Sequence, residues 1–74
     1  MQLSQLSIGQ TATVTAISND CAIKRRLQDI GLIEGTEVCC IFISPLGDPK
    51  AFFIRDTVIA LRKKDASKIT VSEV

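Results

Sequence analysis

Few side chains in this sequence can do covalent or metal chemistry. They are Cys21, Cys39 and Cys40, dispersed carboxylates such as Asp20, Asp29, Glu34, Glu37, Asp48 and Asp56, and the cationic run Lys24-Arg25-Arg26. Histidine is absent, which removes the imidazole base and the commonest nitrogen ligand of transition metals. The cysteines have no CxxC spacing and are odd in number, so neither a disulfide framework nor a zinc knuckle is readable, and reduced thiols fit a cytosolic protein. Cys39 and Cys40 are adjacent; on a regular strand they point to opposite faces and cannot share an ion, so both are read as packing residues. Cys21 is placed at the start of a helical segment and off its apolar stripe. A helix start is a position at which a cysteine can be reactive. A reactive or metal-sensing thiol at Cys21 competes with an incidental small residue, because no second ligand or base accompanies it. No glycine-rich phosphate loop and no nucleophile–base pair is present, so no catalytic residue and no metal residue is assigned.

The elements that must position these groups follow from the hydrophobic pattern. Thr11–Ile17 alternates Ala12, Val14 and Ala16 against three threonines, the period of a strand with a small inward face. Ser18-Asn19-Asp20 offers three N-caps, and Ile23, Leu27 and Ile30 share one helical face, predicting a short α-helix at about 21–30 that stops at Gly31 with Leu32 folding back on its last turn. On that helix Lys24, Arg25 and Gln28 point away from the core, and Arg26 lies at the edge of the stripe with its stem along it. Val38 to Ile43 is apolar on both faces and reads as the central strand, covered by the interior on one side and by the helix or the segment containing Leu3, Leu6 and Ile8 on the other. Ser44 to Pro49 is a rigid loop whose one large apolar residue, Leu46, is either a partner-binding tip or a lid on the end of the sheet. Ala51–Arg55 and Thr57–Arg62 form a hairpin turning through Arg55-Asp56, with Phe52 and Ile54 opposed to Ile59 and Leu61. A charged turn from Arg62 to Lys68 leads to a last strand, Ile69–Val71.

Seventy-four residues rich in β-branched types therefore predict a single domain over 1–74, mainly β, a small barrel of about five strands with one short helix. A formal charge of +1 gives no electrostatic grip on phosphates, so nucleic acid is not expected as a partner. The N-terminal residues lack the pattern of a signal peptide and no run reaches the roughly 18 apolar residues of a membrane span, so a soluble cytoplasmic protein without membrane insertion is expected.

The ordered set Leu6 and Gly9, Arg26-Leu27-Gln28-Asp29-Ile30-Gly31-Leu32 with Gly35, Pro45-Leu46-Gly47-Asp48-Pro49, Ile59-Ala60-Leu61-Arg62, and Ala66, Ile69 and Val71 resembles the FeoA family across nearly the whole chain. Glu34 departs from that pattern, where proline is common, and the three cysteines stand outside it. The resemblance implies an SH3-like barrel and an accessory, non-enzymatic role in ferrous iron uptake. The implied partner is the membrane transporter FeoB, which carries a cytosolic GTP-binding domain. The contact surface is then expected on the helix face Lys24, Arg25 and Gln28 and on the loop residues Leu46 and Asp48. Two alternatives stand beside it. Arg25 or Arg26 could act in trans on the partner's GTPase. Or the domain could bind or sense a transition metal, in outline like the SH3-like domain of iron-dependent repressors, although no convergent set of iron(II) ligands is visible and no cofactor is assigned.

Overall fold

The computed structural model describes residues 1–73. Five antiparallel strands form one sheet: β1 (Thr11–Ile17), β2 (Glu37–Ile43), β3 (Lys50–Ile54), β4 (Thr57–Leu61) and β5 (Ile69–Glu73). Their order, β4-β3-β2-β1-β5, puts β2 in the centre as its two-sided apolar pattern predicts. Two short helices, α1 (Lys24–Asp29) and α2 (Lys63–Ala66), and a 3-10 turn at Leu3–Gln5 complete the fold. The architecture is mainly β, as expected, but it has a second helix: α2 is one α-helical turn in the charged segment after β4, where only a turn is expected from the sequence.

The inner face is one apolar core of Leu3, Leu6, Ala12, Val14, Cys21, Leu27, Leu32, Val38, Cys40, Phe52, Ile54, Leu61, Ala66, Ile69 and Val71. Two β-bulges decide which residues reach it. In β1 the register against β5 slips between Val14 and Ala16. That extra residue reverses the alternation, so Ala16 is exposed and Ile17 turns inward instead. In β2 the register against β3 slips between Cys40 and Phe42, so Ile43 packs on the core while Phe42 faces out. Strict alternation places Ala16 inward, and the bulge corrects it.

The second face of the central strand is not covered by the helix or by the N-terminal segment. Leu3 and Leu6 are fully buried in the same core as the inner face, and Ile8 is exposed. Lys50 ties the N-terminal turn down, its Nζ donating to the Ser4 and Leu6 carbonyls at 2.6 and 3.0 Å. Cys39, Phe53 and Val58 are consecutive cross-strand neighbours on β2, β3 and β4. Phe53, Val58 and nearby Ile41 and Phe42 are left exposed on that outer side.

Helix α1 is shorter than the expected 21–30. Its N-cap position is Ile23, without a side-chain cap. Ser18 and Asp20 hydrogen-bond to each other, and Asn19 Oδ1 accepts from Lys24 Nζ at 2.5 Å, so the three candidate caps close a turn ahead of the helix. Cys21 lies in that turn with 5% of its surface exposed and belongs to the core, which corrects its placement on an outward helix end. Arg26 is exposed rather than laid along the core. The C-terminal end is as predicted: Gly31 N–H donates to Gln28 O at 3.0 Å and Leu32 N–H to Leu27 O at 2.9 Å, with both leucines buried. This is a Schellman closure, and the φ of +96° at Gly31 is what it requires.

Candidate functional site

A cleft of about 300 Å³ opens beside α1, lined by Ile17, Lys24, Gln28, Ile33 and Glu34. Each wall has a local cause. Ile17 reaches it because the β1 bulge shifts the strand's phase. Lys24 and Gln28 are one helical turn apart and share a face. Ile33 and Glu34 sit in the connection after Gly31, held by buried Thr36. The Thr36 hydroxyl donates to Gly31 O at 3.0 Å and accepts from Ile33 N–H at 3.2 Å. Val14 and this connection exchange two more bonds, Gly35 N–H to Val14 O at 2.8 Å and Val14 N–H to Thr36 O at 2.9 Å. A third anchor comes from the β3–β4 turn, where Arg55 Nε donates to Gly31 O at 3.0 Å. The cleft thus combines half-buried Ile17 and exposed Ile33 with a cation and a carboxylate, in a hydrogen-bonded frame. Such a surface suits an amphipathic segment of another protein.

Of the expected contact residues, Lys24 and Gln28 line this cleft, and Arg25 is exposed on the same helix. Leu46 is 92% exposed, so it is a loop tip and not a lid on the sheet. Asp48 serves the fold, because its Oδ1 accepts the Lys63 N–H at 2.7 Å and so caps α2. The two halves of the expected surface stand at opposite ends of β3. Arg55, just after the end of β3, touches the C-terminal end of α1, whereas Asp48 lies just before its start. The five residues of β3 span roughly 16 Å at about 3.3 Å each. Ile17 and Ile33 carry no expected contact role in the sequence, and Glu34 stands out there only as a dispersed carboxylate and as a departure from the family pattern. The signals for the two isoleucines are a second apolar residue after Leu32 inside a glycine-bracketed loop and a strand-end isoleucine whose inward turn depends on the bulge.

A second cavity of about 330 Å³ lies at the other end, among Ser4, Ile43, Gly47, Lys50, Leu61 and Lys63. Lys50 there is already engaged with the N-terminal turn, as described above.

The thiols are separated. Cys40 is fully buried, and burial pushes its pKa up, which keeps it protonated and inert. Cys39 is half-buried on the opposite face, as the alternation predicts. Among the described residues no group of three or more His, Cys, Asp or Glu is placed to hold a metal ion. The one ion pair among them joins Asp20 and Lys68 at 2.9 Å. The Lys68 hydrogen bond, with help from Ser18, holds the Asp20 carboxyl below its usual range, and the same bond raises Lys68. No helix among the described residues is long and apolar enough to cross a membrane.

A five-stranded antiparallel sheet packed on one apolar core, with short helices in its connections, places the chain among small SH3-like β domains. The sequence matches the FeoA domain over residues 1–73. The chain belongs to the FeoA family. It is 31% identical over 71 residues to a Fe(2+) transport protein A/Fe(2+) transporter FeoB fusion protein of Porphyromonas gingivalis, covering 96% of this chain but only 8% of the fusion's length. The solution structure of FeoA from Chlorobium tepidum superposes with a TM-score of 0.92 at 35% identity, covering all of this chain and 70% of that one. Stenotrophomonas maltophilia FeoA complexed with zinc, described as a prokaryotic SH3 domain protein, gives 0.85 at 32% identity over 97% of this chain and 89% of that one.

Proposed function

We propose that this chain, acting as one domain over 1–74, is an accessory module of ferrous iron uptake that docks on the cytosolic side of a FeoB-type transporter without catalysing a reaction itself. The observation that carries the reading is the fusion protein, in which a domain like this one is joined covalently to FeoB. Covalent linkage of two partners raises their effective concentration and replaces an encounter between separate chains. The α1 cleft supports the same reading, because it is preformed, amphipathic and free of a reactive pair. The docking surface is assigned to Lys24, Arg25 and Gln28 together with Ile17, Ile33 and Glu34. Leu46 forms a separate apolar tip at the far end of β3. Its exposure makes it a second contact for a partner large enough to reach both ends.

The test is affinity for the purified cytosolic region of the transporter, with the two ends of β3 perturbed separately. Lys24→Glu with Arg25→Glu is expected to weaken binding at least about tenfold while the melting temperature is kept, since both side chains are outside the core. Leu46→Asp is expected to weaken it less. Unchanged affinity in all three substitutions removes this surface from consideration. Absence of wild-type binding removes the docking role itself.

A further inference from the structure

The two edges of the sheet are treated differently. The β5 edge is covered by the N-terminal segment, through a bridge between Gln2 and Thr70 and a bond from Val71 N–H to Met1 O at 2.7 Å. The β4 edge has no such cover: among the described residues β4 pairs with β3 alone. Free edges are ordinarily protected by a lysine, a proline or a bulge. Thr57-Val58-Ile59-Ala60-Leu61 has none of these, and its pairing with β3 runs without a register shift. The outer face beside it is apolar, with Val58 58% and Phe53 42% exposed.

The charges that bracket this edge decide which partner fits. Asp56 precedes the strand and Arg62 follows it, and neither is in an ion pair among the described residues. An antiparallel copy of the same strand centred on Ile59 sets Ile59 against Ile59, Val58 against Ala60 and Thr57 against Leu61, and brings Asp56 of the turn to the end of the contact where Arg62 of the other copy leaves it. A twofold axis generates the last pair twice, so both ends of the contact are charge-matched and the apolar outer face becomes continuous across the junction. A parallel copy would oppose like charges at each end. We propose that β4 is a self-association edge through which two copies of this chain form a twofold dimer by antiparallel β4–β4 pairing. The surface is distinct from the α1 cleft, and none of the cleft residues lies on β4. A five-residue strand contact is small, so the dimer is concentration-dependent, with a dissociation constant on the order of micromolar or weaker.

Sedimentation equilibrium on the full chain tests this through charge reversal. Arg62→Asp places two acids opposite two acids, and Asp56→Arg two cations opposite two cations. Each alone is expected to weaken dimerisation on the order of tenfold or more. Mixed one to one, the two variants present Asp opposite Arg at both ends, and association is expected to return. Asp56 has a φ of +63°, and arginine tolerates that conformation poorly. If Asp56→Arg does not fold, Val58→Lys, a charge on the outer face of the edge, serves in its place and is expected to abolish the dimer. Wild-type protein that stays monomeric up to millimolar concentration overturns the proposal. So does a dimer indifferent to Arg62→Asp or Val58→Lys, or a mixture of folded variants that fails to reassociate.

Discussion

Replacing Gly31 by alanine should destabilise this protein more than its loop position suggests. Two costs combine there. The φ of +96° is one that L side chains adopt at a cost of roughly 1–2 kcal/mol. A Cβ at Gly31 would also sit 2.6 Å from Arg55 Cδ and 3.0 Å from its Nε. The arginine must then swing away and forfeit its bond to Gly31 O, at a cost of about 1 kcal/mol. The sum is roughly 2–3 kcal/mol, which for a domain of this size lowers the melting temperature by about 10–20 °C. Gly9 is the internal control, since it has a φ of +85° but nothing within 4 Å of its Cβ position. Gly9→Ala should therefore lose only the first cost, and the gain from restricting the unfolded chain cancels between the two variants. Arg55→Ala in the Gly31→Ala background should cost little further, because the clashing group and the bond are already lost. Thermal unfolding by circular dichroism reads all four proteins. If Gly31→Ala melts no lower than Gly9→Ala, the contact between the β3–β4 turn and the end of α1 is wrong.

Three further outcomes follow from the geometry. Asp48→Ala should cost about 1 kcal/mol in chemical denaturation through loss of the α2 cap, whether or not a partner is present; a variant of unchanged stability would return Asp48 to a purely surface role. Native protein treated with a thiol reagent should label Cys39 ahead of Cys21 and Cys40, which should react only as the protein unfolds; three equally fast thiols would contradict the core described above. Lys68→Met should move the Asp20 titration midpoint up toward its usual 3.8, followed by NMR of the side-chain carboxyl. The lowered carboxyl adds stability that is complete above that usual value and lost as pH falls through the lowered one. The raised lysine adds stability that is complete below 10.5 and lost as pH rises through its raised value. Both effects should be small and salt-sensitive, because the pair is exposed, and an Asp20 midpoint identical in the two proteins would refute the pairing.

The strands, their central member and the Schellman end of α1 were legible because each rests on local chemistry: alternation, a two-sided apolar run, and Gly31 followed by Leu32. The β3–β4 hairpin was legible in the same way, although the structure closes it with positive φ at Arg55 and Asp56, neither a glycine. The bulges were not legible. A single extra residue at a register slip reverses inside and outside, and this is why Ile17 reaches the cleft and Phe42 faces out. The expected start of α1 fails because Ser18, Asn19 and Asp20 bond to one another and to Lys24, leaving no cap for the helix. Cys21 then falls in the core, since the turn carries it inward where a continued helix would have carried it out. The candidate site was half visible: the helix supplied Lys24, Arg25 and Gln28, whereas Ile33 and Glu34 depend on the Thr36 bonds that fold their loop back. Nothing local indicated that Leu46 and α1 lie at opposite ends of β3, because that separation is a property of the sheet.

Whether the α1 cleft receives the transporter can be read residue by residue in an NMR titration of the isotope-labelled chain with the unlabelled cytosolic region of FeoB. The predicted result is a saturable set of shifts at Ile17, Lys24, Arg25, Gln28, Ile33 and Glu34, with little change at Phe53 and Val58. Shifts confined to the Phe53 and Val58 face, or none at saturating partner concentration, would contradict it.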